Sequence, residues 1–511
     1  MLIDYNSASD IVNNKISRDS STGDAQIEFL QRVINDYYSS DNYKDILVSQ
    51  KYYDNKNDIN DAVRKVIGRS VDGKPILLVS NVLANNKLSH NFYKKLVRQK
   101  IAYMLSRPFI LKANKVDDTL TEEFIEKFTD DYDLDFHKML KNIGRDSIVK
   151  SLGWLQVYYN EDNELRFKRI PSEEVIPLWA DDDHTKLDAL IRRYSVDVYE
   201  GADKKTNTYI EYYTLDGVYY YRLEGERMYV DDSTYTNGVS SNFTLIKKDE
   251  NGVDVEEQVM WNKIPFIPFK YDPDEKTLLT RVKSLIDEYD KRQSDIANQI
   301  EDIPNSIMVV KNYDGASKEE FTVNKNQYRT IFVQGDGDAK AIETPLDIEG
   351  LDKHLERVRQ DIYEFGQGVN TSNKDIRDTS GVALRFMYSD LDMDCSDWSC
   401  ELEWSLNLLM WFKQQDLLLK TGVDYSDAKF DIIFDTDVIV NETETIQNCF
   451  TSKGVISDVT VAANHPWTRN AEKEVEEMLN DTENTLELET EYQNKVKKDT
   501  DGQRTPNPVS K

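Results

Sequence analysis

At 511 residues the chain is too long for one simple core, and two to four domains are expected. Acidic residues outnumber basic ones 94 to 64, a net charge of -30. That balance lacks the basic footprint of a general nucleic-acid binder, although it leaves room for a protein that handles DNA without gripping it. Cys395, Cys400 and Cys449 make no disulfide framework and suit a reducing cytosol. The N-terminal MLIDYNSASD has no secretory pattern, and the longest apolar runs, PILLV (75–79) and LNLLMWF (406–412), fall far short of a membrane span.

Residues 1–60 are polar, with a helical stretch near 24–38. DAVRKVI (61–67) reads as a helix and PILLV as an apolar strand. From 89 to 106 the spacing predicts a helix with Phe92, Leu96, Gln99 and Tyr103 on one face. Ser89 can cap its start, and Pro108 follows its end. One helical stretch is expected over 121–152, carrying Phe136, Leu140, Ile143, Ile148 and Leu152. The period then shortens to that of strands at 154–159, 164–170, 190–196, 207–214 and 218–223. Asp216-Gly217 is a hairpin signal between the last two.

A different pattern starts at Asp272-Pro273-Asp274-Glu275, which reads as an N-cap, a first-turn proline and a capping-box glutamate. The expected helix, 272–303, presents Leu278, Val282, Leu285, Tyr289, Ile296, Ile300 and Ile303, and would be about 45 Å long. Short β segments follow, from 307–310 to 330–338. Thr344-Pro345 then opens a second helix whose apolar residues are Ile348, Leu351, Leu355, Val358, Ile362 and Phe365. That regular alternation of three and four marks a narrow seam, as in helices packed side by side. A polar loop covers 369–381. Residues 382–420 contain neither Pro nor Gly, so a helix of about 58 Å is expected. A mixed segment, 422–480, and a polar tail with the composition of disorder at 497–511 end the chain.

Motifs for catalysis are weak. Gly68 to Lys74 has the GxxxxGK spacing of a phosphate loop, but Pro75 stands where Ser or Thr would hold magnesium. Asp181-Asp182-Asp183-His184 reads as a solvated loop, because hard cations need oxygens converging from a shaped turn. Cys395 and Cys400 are spaced too widely for a usual metal pair and read as small buried hydrophobes. His90, His137, His184, His354 and His465 are scattered. No catalytic residue, metal ligand or cofactor is assigned. Between Tyr388 and Glu403 lie Asp390, Asp392, Asp394, Asp397, Glu401 and Glu403 with no basic residue. Alone this reads as a solvated helix face.

Four stretches carry a family resemblance: 81–111, an Asn-rich lead-in to a helix; 278–310, a long helix running into a strand; TSGVALRFMYSDLD (379–392), the start of a long helix; and 445–478. Together these resemble the portal proteins of siphophages that infect Gram-positive bacteria, in the family's order over roughly 80–480. Arg385 stands where a Lys is common, IRDTSG (376–381) lacks the usual Asn, and 431–441 lacks a typical basic residue and Pro.

The resemblance implies an α+β portal fold: wing 1–271, stem helices 272–303 and 346–368, clip 304–345, tunnel loop 369–381, long wing helix 382–421, helical crown 422–480, and tail 481–511. It implies a dodecameric ring at one capsid vertex, assembled in the host cytoplasm, through which double-stranded DNA is packaged and ejected. Large terminase, head-tail adaptor, scaffold and major capsid protein are its implied partners. Lys374 and Arg377 in the tunnel loop are the candidates for touching the DNA backbone. Leu278, Val282, Leu285, Leu351, Leu355 and Val358 are the candidates for stem packing, against neighbouring copies around the ring, and Asp390, Asp392, Asp394 and Asp397 are those for charge facing the channel or a neighbouring subunit. The rival readings are a DNA-handling enzyme, a packaging ATPase or nuclease resting on Gly68 to Lys74, and another minor capsid structural protein.

Overall fold

The computed structural model describes residues 23–69, 75–80, 83–115, 118–200, 203–233, 235–248, 254–302, 307–311, 338–342, 348–371, 381–434, 442–468, 471 and 473–480. The chain divides into two units. The first is Met1–Asn370 with Asp390–Asp437, and the second is Thr371–Ser389 with Val438–Lys511.

In the first unit, α1 (Asp24–Ser39) and α2 (Asp41–Tyr53) meet at Ser40, whose hydroxyl accepts the Tyr43 N–H at 3.2 Å. Strands β1 (Lys65–Arg69) and β2 (Pro75–Val79) pair antiparallel, Arg69 opposite Pro75. The helix expected over 61–67 is therefore corrected: Val66 and Ile67 pair with Leu78 and Leu77 in the hairpin. A phosphate loop requires a helix after its lysine, and here a strand begins at Pro75.

Next come α3 (Phe92–Met104), β3 (Ile110–Ala113), α4 (Thr119–Asp131) and α5 (Leu134–Lys150). Asn91, not Ser89, caps α3. The single stretch expected over 121–152 is two helices, because the Asp133 carboxylate accepts the Phe136 N–H at 2.8 Å and starts a new one.

Then follow β4 (Leu152–Tyr159), β5 (Leu165–Ile170), β6 (Val175–Trp179), β7 (Leu187–Glu200), β8 (Asp203–Tyr213), β9 (Val218–Glu224), β10 (Arg227–Val230), β11 (Val239–Ser240), β12 (Phe243–Lys248), β13 (Asp254–Val259) and β14 (Phe266–Lys270). An antiparallel meander runs in the order β10-β9-β8-β7-β6, with β11 on β9. A three-stranded sheet runs β14-β4-β5, and β12 pairs β13. Strand alternation sorts the meander's residues between two cores. Ala189, Ile191, Ile210, Tyr212 and Tyr221 pack on Leu30 and Ile34 of α1. Leu190, Tyr213 and Val218 pack instead on Trp154, Ile264 and Phe266.

The second half of this unit contains α6 (Leu279–Asp302), β15 (Ile307–Lys311), β16 (Asp338–Ile342), α7 (Ile348–Phe365), α8 (Gly381–Thr421) and β17 (Phe430–Ile433), with only residues 390–421 of α8 belonging to it. Helix α6 begins seven residues later than expected. Asp272 instead accepts the Asp274 N–H and an Arg281 N–H, and its carbonyl closes a turn on Glu275. At 24 residues α6 is about 36 Å long. It packs antiparallel to α7: Arg281 bonds Gln367 just beyond α7, while Glu288 meets His354 near its start. Between the two helices β15 pairs β16. The apolar side of α8, with Leu391, Trp398, Leu402, Leu406, Leu409 and Phe412, is buried. Gly144 of α5 admits Trp398, since a Cβ there would stand 3.1 Å from the indole.

The second unit contains α9 (Glu442–Ser452) and α10 (Asp458–Ala463). Phe450, Val455 and Trp467 are exposed there.

Candidate functional site

The buried face of α6 is apolar at its start and polar further on. Val282 and Ile286 are followed by Asp290, Ser294 and Asn298, all nearly inaccessible. Those three side chains receive the backbone of the Asn-rich lead-in. The N–H of His90 donates to Asp290 at 2.9 Å, that of Leu88 to Ser294 Oγ at 2.9 Å, and that of Asn86 to Asn298 Oδ1 at 2.5 Å. Two residues of extended chain advance about 6.6 Å, and four residues of helix about 6 Å. Alternate residues of 86–90 can therefore meet every fourth residue of α6. Asp290 also accepts from Asn57 at 2.6 Å and lies 2.8 Å from the His90 ring.

A second knot centres on Asp394 of α8. Its carboxylate accepts from Lys100 of α3 at 2.5 Å, from the Tyr271 hydroxyl at 2.6 Å and from Arg281 of α6 at 2.8 Å. Lys100 is fully buried and also donates to the Gln367 carbonyl at 3.0 Å. Arg281 reaches the Gln367 amide oxygen at 2.6 Å and Asp272 at 2.8 Å. Burial pulls the Lys100 ammonium below the ordinary lysine value, against the attraction of Asp394. Burial would raise the Asp394 carboxyl, but Lys100, Tyr271 and Arg281 outweigh it and hold it low.

One helix of this knot also holds the chain where it leaves the first unit and where it returns. The Gln99 amide donates to the Val369 carbonyl at 2.7 Å and accepts the Val369 N–H at 3.2 Å. Tyr103 donates to Asp392 at 2.6 Å. Gly366 and Gly368 let this turn touch α3, since a Cβ at either would lie within 2.6 Å of Leu96. The chain enters the second unit after Asn370 and rejoins the first at Asp390. Gln99, Lys100 and Tyr103, close together on α3, thus fasten residues on both sides of 371–389.

The structure redistributes the residues singled out from sequence. Asp394 is corrected from a channel or interface charge: it is buried and neutralised within its own subunit. Asp390, Asp392 and Asp397 are exposed residues, Asp392 engaged by Tyr103. The seam residues Leu278, Val282, Leu355 and Val358 are buried inside one chain, while Leu285 and Leu351 are half-buried. Ile300 of the same series is exposed. Lys374 and Arg377 lie outside the described residues. Cys395 is buried, its thiol pushed up to about 12 by that burial, whereas Cys400 is exposed, contrary to the reading of both as buried. Asp181 caps a turn through the Thr185 and Lys186 N–H groups. His184 stacks on Trp179 and lies 2.8 Å from Glu275.

Sequence reading missed Lys100, Tyr271 and Arg281. The signal for Lys100 was present: it continues the step Leu96, Lys100, Tyr103 along the buried stripe of α3, where a lysine needs a buried partner.

The profile of the family described as "Phage portal protein, SPP1 Gp6-like" matches residues 12–487. The chain is similar to the portal protein of Bacillus phage SPP1, 27% identical over 459 residues, covering 88% of this chain and 86% of that protein. It is also similar to the portal protein of Clostridium phage phiCD119, 26% identical over 446 residues, covering 84% and 91%. Mixed helix and sheet, an antiparallel helix pair and a match over nearly the whole length agree: the chain belongs to the SPP1 Gp6-like family of phage portal proteins.

Proposed function

We propose that twelve copies form a ring at one vertex of the capsid, and that double-stranded DNA enters and leaves through its centre. The family match over residues 12–487 carries this reading. The α6–α7 pair is the stem, 272–303 with 346–368; the residues between, 304–345, are the clip. Residues 1–271 and 382–421 form the wing, 422–480 the crown, and 369–381 the tunnel loop. Large terminase and the head-tail adaptor dock on the ring in turn; scaffold and major capsid protein surround it. Assembly takes place in the host cytoplasm.

The chain's work in this scheme is structural. Asp390, Asp392 and Asp397 present negative charge to the channel or to a neighbour, so DNA phosphates find no adhesive wall. Tight phosphate contacts would have to be broken and counterions rebound at each step. Lys374 and Arg377 supply the few backbone contacts at the constriction. Leu278, Val282, Leu355 and Val358 are already buried within one subunit, so neighbouring stems meet through the half-buried Leu285 and Leu351 and the exposed Ile300 and Phe365. Sedimentation tests the assembly: a chain of 59.4 kDa is expected to sediment as a complex of about twelve copies, and a stable monomer would refute the ring.

A further inference from the structure

A cavity of about 760 Å³ opens in the first unit, between the approach to β7, the approach to β14, the middle of α8 and the segment leading into β17. That volume is in the range of ligand sites. Its floor is apolar, with Ile264, Phe266 and Met410 buried. Its walls carry Trp404 and Trp411, and the amides of Asn262, Asn407 and Gln414.

The charge of the lining is opposite to that of the protein. Acidic residues make up 94 of 511 positions, so a proportionate share of the eighteen lining residues would be about three. None of the eighteen is Asp or Glu, and two are lysines, Lys186 and Lys263. Both are exposed, and no carboxylate pairs with either among the described residues. Lys263 sits over the Trp411 ring at 4.5 Å. A cavity with cations at its rim, amides in its wall and an apolar floor is complementary to an anionic chain with a hydrophobic side chain.

We propose that this cavity binds an acidic peptide segment of a partner protein. An aromatic or aliphatic side chain enters against Phe266 and Met410, and flanking carboxylates meet Lys186 and Lys263. The Asn262 amide pairs with the peptide backbone, joined by the amide oxygens of Asn407 and Gln414, whose N–H groups already donate to the Glu403 and Tyr425 carbonyls. The assignment is independent of the ring and of the residues 371–389.

The test uses the purified full-length protein and fluorescence anisotropy of labelled Glu-Glu-Leu-Phe-Glu-Glu. Binding that weakens with salt is expected, at least tenfold weaker in Lys186→Glu/Lys263→Glu and equally weakened when serine replaces the peptide's phenylalanine. Both substitutions are on exposed side chains, and an unchanged thermal melt verifies that the variant folds. The charge-reversed Lys-Lys-Leu-Phe-Lys-Lys is expected not to bind. No binding of the acidic peptide, equal binding by the variant, or tighter binding of oligothymidylate would each overturn the proposal.

Discussion

Removing the charge of Asp394 leaves Lys100 without its carboxylate in a site that water does not reach. The two side chains are 0% and 6% exposed and 2.5 Å apart. Breaking a buried pair by deleting one partner costs about 3–5 kcal/mol, because the remaining charge stays desolvated. Asp394→Leu is expected in that range, with Lys100 retaining the Gln367 carbonyl and the Tyr271 ring but no counter-charge. Lys100→Met is expected to cost less, about 1–3 kcal/mol, since Asp394 keeps Tyr271 and Arg281. In Lys100→Met/Asp394→Leu no unpaired charge remains at the centre: Arg281 still has Asp272, and replacing a buried pair by apolar residues is often close to neutral. The double variant is therefore expected within about 2 kcal/mol of the parent, a coupling of at least about 2 kcal/mol. Urea unfolding followed by tryptophan fluorescence, with Trp398 buried one turn from Asp394, measures the cycle at a fixed protomer concentration. Additive single effects, with coupling below about 0.5 kcal/mol, would refute the knot.

The lead-in ladder makes a second prediction: Ser294→Val should destabilise by about 1–3 kcal/mol through an unsatisfied Leu88 N–H, seen as faster amide exchange at 88. Acid provides a third. Folded Asp394 holds a proton less readily than the unfolded chain does. Its contribution is therefore complete above the ordinary carboxylate value, about 3.9, and is lost as pH falls through the lower folded value. The parent should lose more stability than Lys100→Met/Asp394→Leu in that window, measured by urea unfolding at stepped pH. Fourth, Lys374→Gln/Arg377→Gln should lower DNA packaging or retention while rings still form, as read by nuclease-protected DNA in complemented phage. Unchanged packaging and retention would remove both residues from the mechanism.

Periodicity was a good guide where one force dominates. The run without Pro or Gly after residue 381 forms α8, and the seam at Leu355, Val358 and Ile362 marks the inner side of α7. It failed where side chains bond to backbone. Asp272 resembles an N-cap, but its carboxylate is taken by the Asp274 N–H and Arg281, so α6 waits until Leu279. The apolar series on α6 led to Ile296 and Ile300, while the helix buries Ser294 and Asn298. Those polar residues face a strip of main chain whose N–H groups need acceptors, a requirement that hydrophobicity does not encode. Asp394 looked like one of six equivalent carboxylates; only the approach of α3 and α6 distinguishes it.

Electron cryomicroscopy of the purified protein bears most directly on the portal assignment. A ring of about twelve subunits is expected, its centre open enough for duplex DNA, with α6 and α7 paired in every subunit and Asp390 and Asp397 at the channel or a subunit boundary. Isolated subunits, or an assembly without a through-going channel, would contradict it.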